Sequence, residues 1–235
     1  MSEISFQVVG AAPERYAASP TLNLRLRLED PDQTPVESIA LRCQIRIEPQ
    51  RRRYGGGEEE RLADLFGETP RWGDTVKPFL WTHVHTLVPG FTGATQLDLP
   101  VPCTYDMDVA AAKYFHALES GEIPLLLLFS GTVFSRGPAG LTAKPISWSR
   151  ESSYRLPLTM WREVMDTHFP GGGWMRLRRE TLDALLAFKA RRALATWDEV
   201  IEALLKSAPA ARGADPPPAP SRSRDPLALE DRREA

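Results

Sequence analysis

Two alternating stretches decide the fold of this chain. Residues 22–28 read Leu-Asn-Leu-Arg-Leu-Arg-Leu, and residues 39–47 read Ile-Ala-Leu-Arg-Cys-Gln-Ile-Arg-Ile. Successive side chains of a β-strand point to opposite faces, so this period of two places the apolar residues on one face and mostly basic residues on the other. Both stretches are therefore predicted to be strands with one face towards a core and one towards water.

The connection between the two stretches favours their pairing. Residues 30–35 read Asp-Pro-Asp-Gln-Thr-Pro, a composition that is typical of turns. We expect the two strands to form an antiparallel pair within one sheet. In that arrangement Arg25, Arg27, Arg42 and Arg46 would share its outer face.

Further alternating or apolar stretches predict the rest of a β-rich domain. Frequent turns between them, without a regular alternation of strand and helix, favour a mainly β fold, a β-sandwich of about seven strands with two short inserted helices. The other predicted strands are residues 4–9, 79–88, 95–105, 123–134 and 146–156, and the inserted helices are residues 58–66 and 109–120.

The C-terminal third has a different composition. Residues 158–206 show the apolar spacing of helices and predict a C-terminal helical segment that ends in a hairpin. Residues 207–235 contain six prolines and few apolar residues, a composition that predicts a disordered tail. The β-sandwich domain is therefore expected to span residues 1–157.

The bulk properties exclude several classes of protein. The net charge is −2 and the isoelectric point is about 6.1, so no global electrostatic attraction to nucleic acid or membrane is expected. The sequence contains neither a signal-peptide pattern nor an apolar run long enough to span a bilayer. Two cysteines, Cys43 and Cys103, stand on the apolar phase of their strands and indicate core residues in a reducing, cytoplasmic compartment.

No catalytic motif stands out in the sequence. There is no nucleophile elbow, phosphate-binding loop, dinucleotide fingerprint or zinc-protease motif, so we expect a non-enzymatic protein without a cofactor. His83 and His85 place two imidazoles on one face of a predicted strand, a spacing that metal sites in β proteins use. Because no third ligand follows at a convincing spacing, they are only weak metal candidates beside the alternative of a polar outer face.

The predicted arginine face is the first candidate binding surface. It would attract an acidic protein, and Trp72 and Trp81 could supply aromatic anchors beside it, since Trp and Arg are common at interface hot spots. The alternative is a solvated polar face, with both tryptophans packed in the core and in loops.

Residues 174–205 resemble ribbon-helix-helix repressors. A short predicted strand, Met175–Arg178, precedes two helical patterns; in that family two such strands pair across a dimer and enter the DNA major groove. The resemblance implies that Arg176 and Arg178 would face the bases and that the chain would be a homodimer. The net charge argues against nucleic acid, and the alternatives are a hairpin packed on the sandwich or a dimerisation arm.

Eight motifs from residue 51 onwards form a wider pattern. They are residues 51–54 (Arg-Arg-Arg-Tyr), 65–68 (Leu-Phe-Gly-Glu), 71–75 (Arg-Trp-Gly-Asp-Thr), 81–84 (Trp-Thr-His-Val), 88–93 (Val-Pro-Gly-Phe-Thr-Gly), 99–106 (Leu-Pro-Val-Pro-Cys-Thr-Tyr-Asp), 113–115 (Lys-Tyr-Phe) and 129–134 (Phe-Ser-Gly-Thr-Val-Phe). Together they resemble an uncharacterised actinobacterial family encoded near genes for uptake nickel–iron hydrogenases and their accessory proteins. The resemblance implies an accessory or assembly role with a hydrogenase component as partner, and it brings no catalytic residues.

Overall fold

Eight strands form two antiparallel sheets in the computed structural model, which describes residues 4–103, 109–137, 140–172 and 177–207. The small sheet has the order β1-β2-β5, and the large sheet has the order β4-β3-β6, with β7 and β8 both pairing with the free side of β6. The predicted mainly β class is confirmed. The strands are β1 (Ser5–Pro13), β2 (Thr21–Glu29), β3 (Val36–Ile47), β4 (Phe79–Phe91), β5 (Ala94–Pro102), β6 (Glu122–Gly137), β7 (Gly140–Pro145) and β8 (Glu151–Pro157).

The two opening strands, β2 and β3, do not pair with each other. Strand β2 lies between β1 and β5, whereas β3 lies between β4 and β6, so the predicted antiparallel pair is wrong. The buried Asp30 carboxylate accepts hydrogen bonds from the N–H groups of Asp32 and Thr34, both at 3.1 Å, and this turn carries the chain from one sheet to the other. The two apolar faces therefore meet across a sandwich, which buries both of them.

The core lies where the apolar faces of the two sheets oppose each other. Every apolar residue of β2 is buried, and Phe6 of β1 stacks on Phe129 of β6 with ring centroids 4.6 Å apart. Cys43 and Cys103 are buried and unpaired, as the alternation predicts, and burial raises the pKa of each thiol to about 12. The inward and outward phases predicted for residues 22–28 and 39–47 are thus correct, as is the inward position of Cys103.

Local irregularities change two predicted strands. The register of β3 against β4 shifts at Trp81, so Trp81 turns into the core and Leu80 turns out, whereas unbroken alternation predicts Trp81 on the same face as His83 and His85. A bulge adds one residue to a strand and inverts the alternation beyond it. Residues 140–145, which lie between two predicted strands, form β7, and Trp148, which was predicted to lie in the strand 146–156, lies instead in the loop before β8.

Helices close one end of the sandwich. The ring of Phe115 meets Trp81 and Trp161 edge to face, with centroids 5.1 and 5.3 Å apart, and α4 packs on β1, β2 and β8. The chain accordingly divides after Trp174, later than the boundary at residue 157 that the sequence suggested. The helices are α1 (Gly56–Phe66), α2 (Trp72–Thr75), α3 (Val109–Ala117) and α4 (Leu158–His168), with short 3-10 turns at Pro49–Arg51 and Thr69–Arg71.

The second unit contains a pair of helices, α5 (Arg179–Arg191) and α6 (Trp197–Ser207), which contact each other. Leu177 and Arg178 lie outside any strand, and the remainder of the short strand predicted before α5, Met175 and Arg176, lies outside the described residues. Residues 208–235, the predicted disordered tail, also lie outside the described residues.

Candidate protein-binding surface

The outer face of the small sheet neutralises its own arginines. Arg25 on β2 lies opposite Asp98 on β5, and their side chains form an ion pair at 3.1 Å. Arg27 pairs with Glu29 at 3.3 Å along the same strand. Because each guanidinium has an acidic neighbour, this face carries little unbalanced charge.

The outer face of the large sheet presents its arginines differently. Arg42 lies opposite His85 on β4 and Ser130 on β6, and Arg46 lies opposite Leu80 and Leu126. Neither arginine has an ion pair or hydrogen bond with any described residue. We call this the large-sheet outer face; by strand register it comprises Ala40, Arg42, Gln44, Arg46, Leu80, His83, His85, Leu87, Leu126, Leu128, Ser130, Thr132, Phe134, Arg136, Leu141, Ala143, Glu151 and Ser153.

The same face exposes large apolar side chains. Leu87 and Leu141 are 67% and 66% exposed, and Leu80 is 41% exposed. Leu128 and Phe134 between them are partly buried. The large-sheet outer face thus combines unpaired cations with an apolar surface, a combination that the small sheet lacks.

The four predicted arginines therefore do not form one patch. Arg25 and Arg27 lie on one side of the sandwich, and Arg42 and Arg46 lie on the other. The predicted shared face is wrong because it depended on the pairing of β2 with β3. Only the pair on the large sheet retains the unneutralised charge that made the patch a binding candidate.

Neither predicted tryptophan anchor lies free on a surface. Trp81 is buried against Phe115, and Trp72 packs edge to face on Tyr54 and Phe66 while its indole N–H donates to the carbonyl of Gly67 at 2.8 Å. Both rings serve packing at the helical end of the sandwich.

Sequence reasoning missed a third tryptophan, Trp148, which is 91% exposed. Its loop is hydrogen-bonded to β6, with the N–H of Phe129 donating to Arg150 and the N–H of Ile146 donating to Gly131. The signal was present in the sequence, because Ser-Trp-Ser after a proline is typical of a turn. Trp148 therefore lies at the border of the large sheet, where its exposed indole ring is available as an aromatic anchor for a partner.

The weak metal candidates lie on the large-sheet outer face. His83 is opposite Gln44 and His85 is opposite Arg42, and both imidazoles are exposed. Within the described ranges, no group of three or more His, Cys, Asp or Glu side chains is placed to hold a metal ion. These histidines contribute polar and aromatic character to the surface around Arg42.

The side chain of Arg52, beside the helical end of the sandwich, is ion-paired and almost wholly buried, unlike that of Arg42 or Arg46. Arg52 forms a buried ion pair with Glu58 at 2.6 Å and donates to the carbonyls of Ser120 and Glu122. Burial alone would raise the pKa of Glu58, but hydrogen bonds from the N–H groups of Glu119 and Gly55, together with the Arg52 charge, outweigh it and lower that pKa. This arginine is part of the fold and is not available to a ligand.

The described residues of the sandwich unit line cavities that include the following two. One, of about 780 Å³, is a wide polar groove beside Arg52, lined by residues of both charges. The other, of about 310 Å³, lies at the end opposite the helices between Phe6 and Val133. Its lining is mainly apolar, also includes Lys144 and Arg150, and is continuous with the loop that carries Trp148.

One of the two predicted DNA-reading residues lies within the described part of the chain. Arg178 is exposed and immediately precedes α5, and Arg176 lies outside the described residues. No described helix has both the length and the apolar character needed to cross a membrane.

The similarity of this chain to other proteins identifies its family. A crystal structure of a β-glucosidase from Kluyveromyces marxianus shows 7% identity and a TM-score of 0.24, over 65% of this chain and 14% of that enzyme, a likeness that supports no conclusion. None of the curated proteins matches. A family of unknown function, DUF6084, matches residues 1–213, and the chain therefore belongs to that family.

Proposed function

We propose that this chain is a non-enzymatic, cytoplasmic accessory protein that binds another protein through the large-sheet outer face. One observation supports this function above others: exposed Leu87 and Leu141 share a face with Arg42 and Arg46, which have no acidic partner among the described residues. A single exposed leucine is ordinary. A docking surface is characterised by several exposed apolar side chains on one face, and here they lie beside cations that the chain does not neutralise.

The composition of the face defines the chemistry of its partner. A complementary surface would place carboxylates opposite Arg42 and Arg46 and apolar side chains opposite Leu80, Leu87 and Leu141. Burial of the leucines would supply most of the affinity, and the charge pairs would supply orientation and association rate. Trp148 at the border of the sheet would add an aromatic contact.

A hydrogenase component is the first partner to test. The support for this choice is the resemblance of the motifs between residues 51 and 134 to a family encoded beside uptake nickel–iron hydrogenase genes. The role would be assembly or maintenance of that enzyme by direct binding.

The test is affinity capture from the native host while hydrogenase is expressed, followed by mass spectrometry. The bait is the full chain, compared with a Leu87→Ser/Arg42→Glu variant and with a matched Val9→Ser/Arg25→Glu variant of the small sheet. We expect a hydrogenase structural or accessory subunit with the wild type and the small-sheet variant, and its loss with the large-sheet variant.

The possible failures are distinguishable. If an unrelated protein were captured and its capture depended on Leu87 and Arg42, the hydrogenase role would be wrong. The proposal that the large-sheet outer face binds a protein would still hold. Capture that is equal for both variants would overturn the surface itself.

A further inference from the structure

The helical pair of the second unit has sharply defined ends. Thr196 caps α6, because its hydroxyl accepts the N–H of Glu199 at 3.1 Å while the Glu199 carboxylate accepts the N–H groups of Ala195 and Thr196 at 2.6 and 3.1 Å. These hydrogen bonds lower the pKa of Glu199. The ammonium of Lys189 donates to the carbonyls of Leu194 and Ala195, which fixes the turn between the helices.

The same pair has almost no core. Val200 is the one fully buried residue in 177–207, and α5 has none. Large apolar side chains remain at the surface instead, although a peptide of this size rarely buries enough area to be stable alone. The exposed side chains, at 37–69%, are Leu177, Leu182, Leu186, Trp197 and Leu205.

These exposed residues follow helical stripes that come together on one side. Leu182 and Leu186 are spaced i, i+4 on α5, and Trp197, Ile201 and Leu205 continue i, i+4, i+8 on α6. Successive residues of an α-helix are rotated by about 100° around its axis. On each helix, the reference is the position that faces the other helix, partly buried Leu185 on α5 and buried Val200 on α6. The exposed stripe is displaced from that reference in the same rotational direction on both helices. A connection of only five residues, 192–196, joins these two contacting helices, so we infer that they run antiparallel, and the same sense on each helix then brings the stripes to one side of the pair.

The charges beside the stripes are opposite on the two helices. Residues 178–192 carry five basic and two acidic side chains, whereas residues 197–207 carry three acidic side chains and one basic one. A helix like α5 therefore attracts a helix like α6 and repels a copy of itself.

From these features we propose that the occupant of this face is a second copy of the chain. The two helical pairs form a four-helix bundle with two-fold symmetry, in which α5 of each copy lies along α6 of the other. The apolar stripes of both copies become its core, and every basic helix has acidic neighbours. This dimer uses a surface separate from the large-sheet outer face and stands independently of the proposed function.

The first test measures the mass of the full chain by light scattering and sedimentation equilibrium. We expect twice the chain mass of 26.2 kDa for the wild type. A Leu182→Glu/Leu186→Glu variant should weaken the dimer at least about 100-fold, because it buries charge in the bundle core. A matched Leu80→Glu/Leu87→Glu variant on the sandwich should remain a dimer.

The second test distinguishes the reciprocal arrangement from a general loss of helix. An Arg179→Glu/Arg191→Glu variant and an Asp198→Lys/Glu202→Lys variant should each be monomeric, since each places like charges along α5 and α6 of the two copies. Mixing the two variants should restore a dimer. A monomeric wild type, a dimer that survives Leu182→Glu/Leu186→Glu, or a mixture that stays monomeric would overturn the proposal.

Discussion

The two outer faces of the sandwich come from strands with nearly the same pattern and yet present different surfaces. On the small sheet, Arg25 meets Asp98 across the strand pair and Arg27 meets Glu29. On the large sheet, Arg42 has His85 and Ser130 as its cross-strand neighbours. Alternation puts an arginine on an outer face, but the neighbouring strand decides whether its charge is balanced there.

The apolar content of the two faces differs in the same direction. The small sheet places Gln96, Asp98 and two prolines on the outer phase of β5, whereas the large sheet places Leu80, Leu87 and Leu141 outside. One face is therefore an ordinary solvated surface. The other has the composition of an interface.

The largest effect is expected where an arginine is both buried and neutralised. Glu58→Gln leaves Arg52 buried without a counter-charge, and breaking a buried pair in this way costs about 3 kcal/mol of unfolding free energy. Urea unfolding at neutral pH measures the loss, with exposed Glu60→Gln on the same helix as the control. If Glu58→Gln lowered the free energy of unfolding no more than the control does, the Arg52–Glu58 pair would contribute no more than a surface ion pair.

The pH dependence of this effect has a definite sign. Since the folded protein lowers the pKa of Glu58 below its ordinary value of 4.5, the carboxylate stabilises the fold fully above that value and progressively less as the pH falls below it. The difference in stability between wild type and Glu58→Gln should therefore shrink below pH 4.5. A difference that grows on acidification would contradict the assignment.

The next largest effect concerns the apolar part of the large-sheet outer face. A Leu80→Ser/Leu87→Ser/Leu141→Ser variant should lose roughly 100-fold in partner affinity, because three hot-spot side chains contribute about 1 kcal/mol each. Calorimetric titration with the captured partner measures this loss. The free energy of unfolding should change little, since exposed substitutions are nearly neutral. Val9→Ser on the small sheet is the control, and an equal loss there would remove the distinction between the faces.

A smaller effect is expected from the charges. Arg42→Glu/Arg46→Glu should reduce affinity about tenfold, mainly through slower association, and the reduction should diminish at high salt. Arg25→Glu/Arg27→Glu changes the same number of charges on the other face and should leave association unchanged. Surface plasmon resonance at two ionic strengths separates the two variants, and equal rates for both would show that only global charge matters.

The smallest effect should come from making the small sheet resemble the large one. Asp98→Asn leaves Arg25 without its counter-charge at a solvated site, where an ion pair contributes only about 0.2–1 kcal/mol. Urea unfolding should show a loss within that range. A loss of several kcal/mol would mean that the small sheet depends on its charge pairs for folding.

Much of the local structure was predictable from the sequence. The burial of Cys43, the central position of β6 and the residues of α4 all follow from local periodicity, which depends on side chains that are near each other along the chain. The Thr196 cap of α6 was predictable for the same reason. The binding surface was only half predictable: Arg42 and Arg46 were identified, and Leu87, Leu141 and Trp148 were not.

The missed features depend on neighbours that are distant in sequence. Trp81 turns inward because a bulge against β3 shifts its phase, and Trp148 stays outside because its loop is held at the edge of β6. The β6–β7 hairpin brings Leu141 beside Arg136 and so extends the outer face of the large sheet. None of these neighbours can be read from spacing along one strand.

By itself, the sequence determined that residues 22–28 and 39–47 are strands with one buried face, because period-two alternation is a local property of the backbone. Only the tertiary structure decided that these strands belong to different sheets. The same decision gave Arg25 an acidic neighbour and left Arg42 without one. Strand pairing is a non-local choice among many apolar edges, and it is made by the packing of the whole sandwich rather than by either stretch alone.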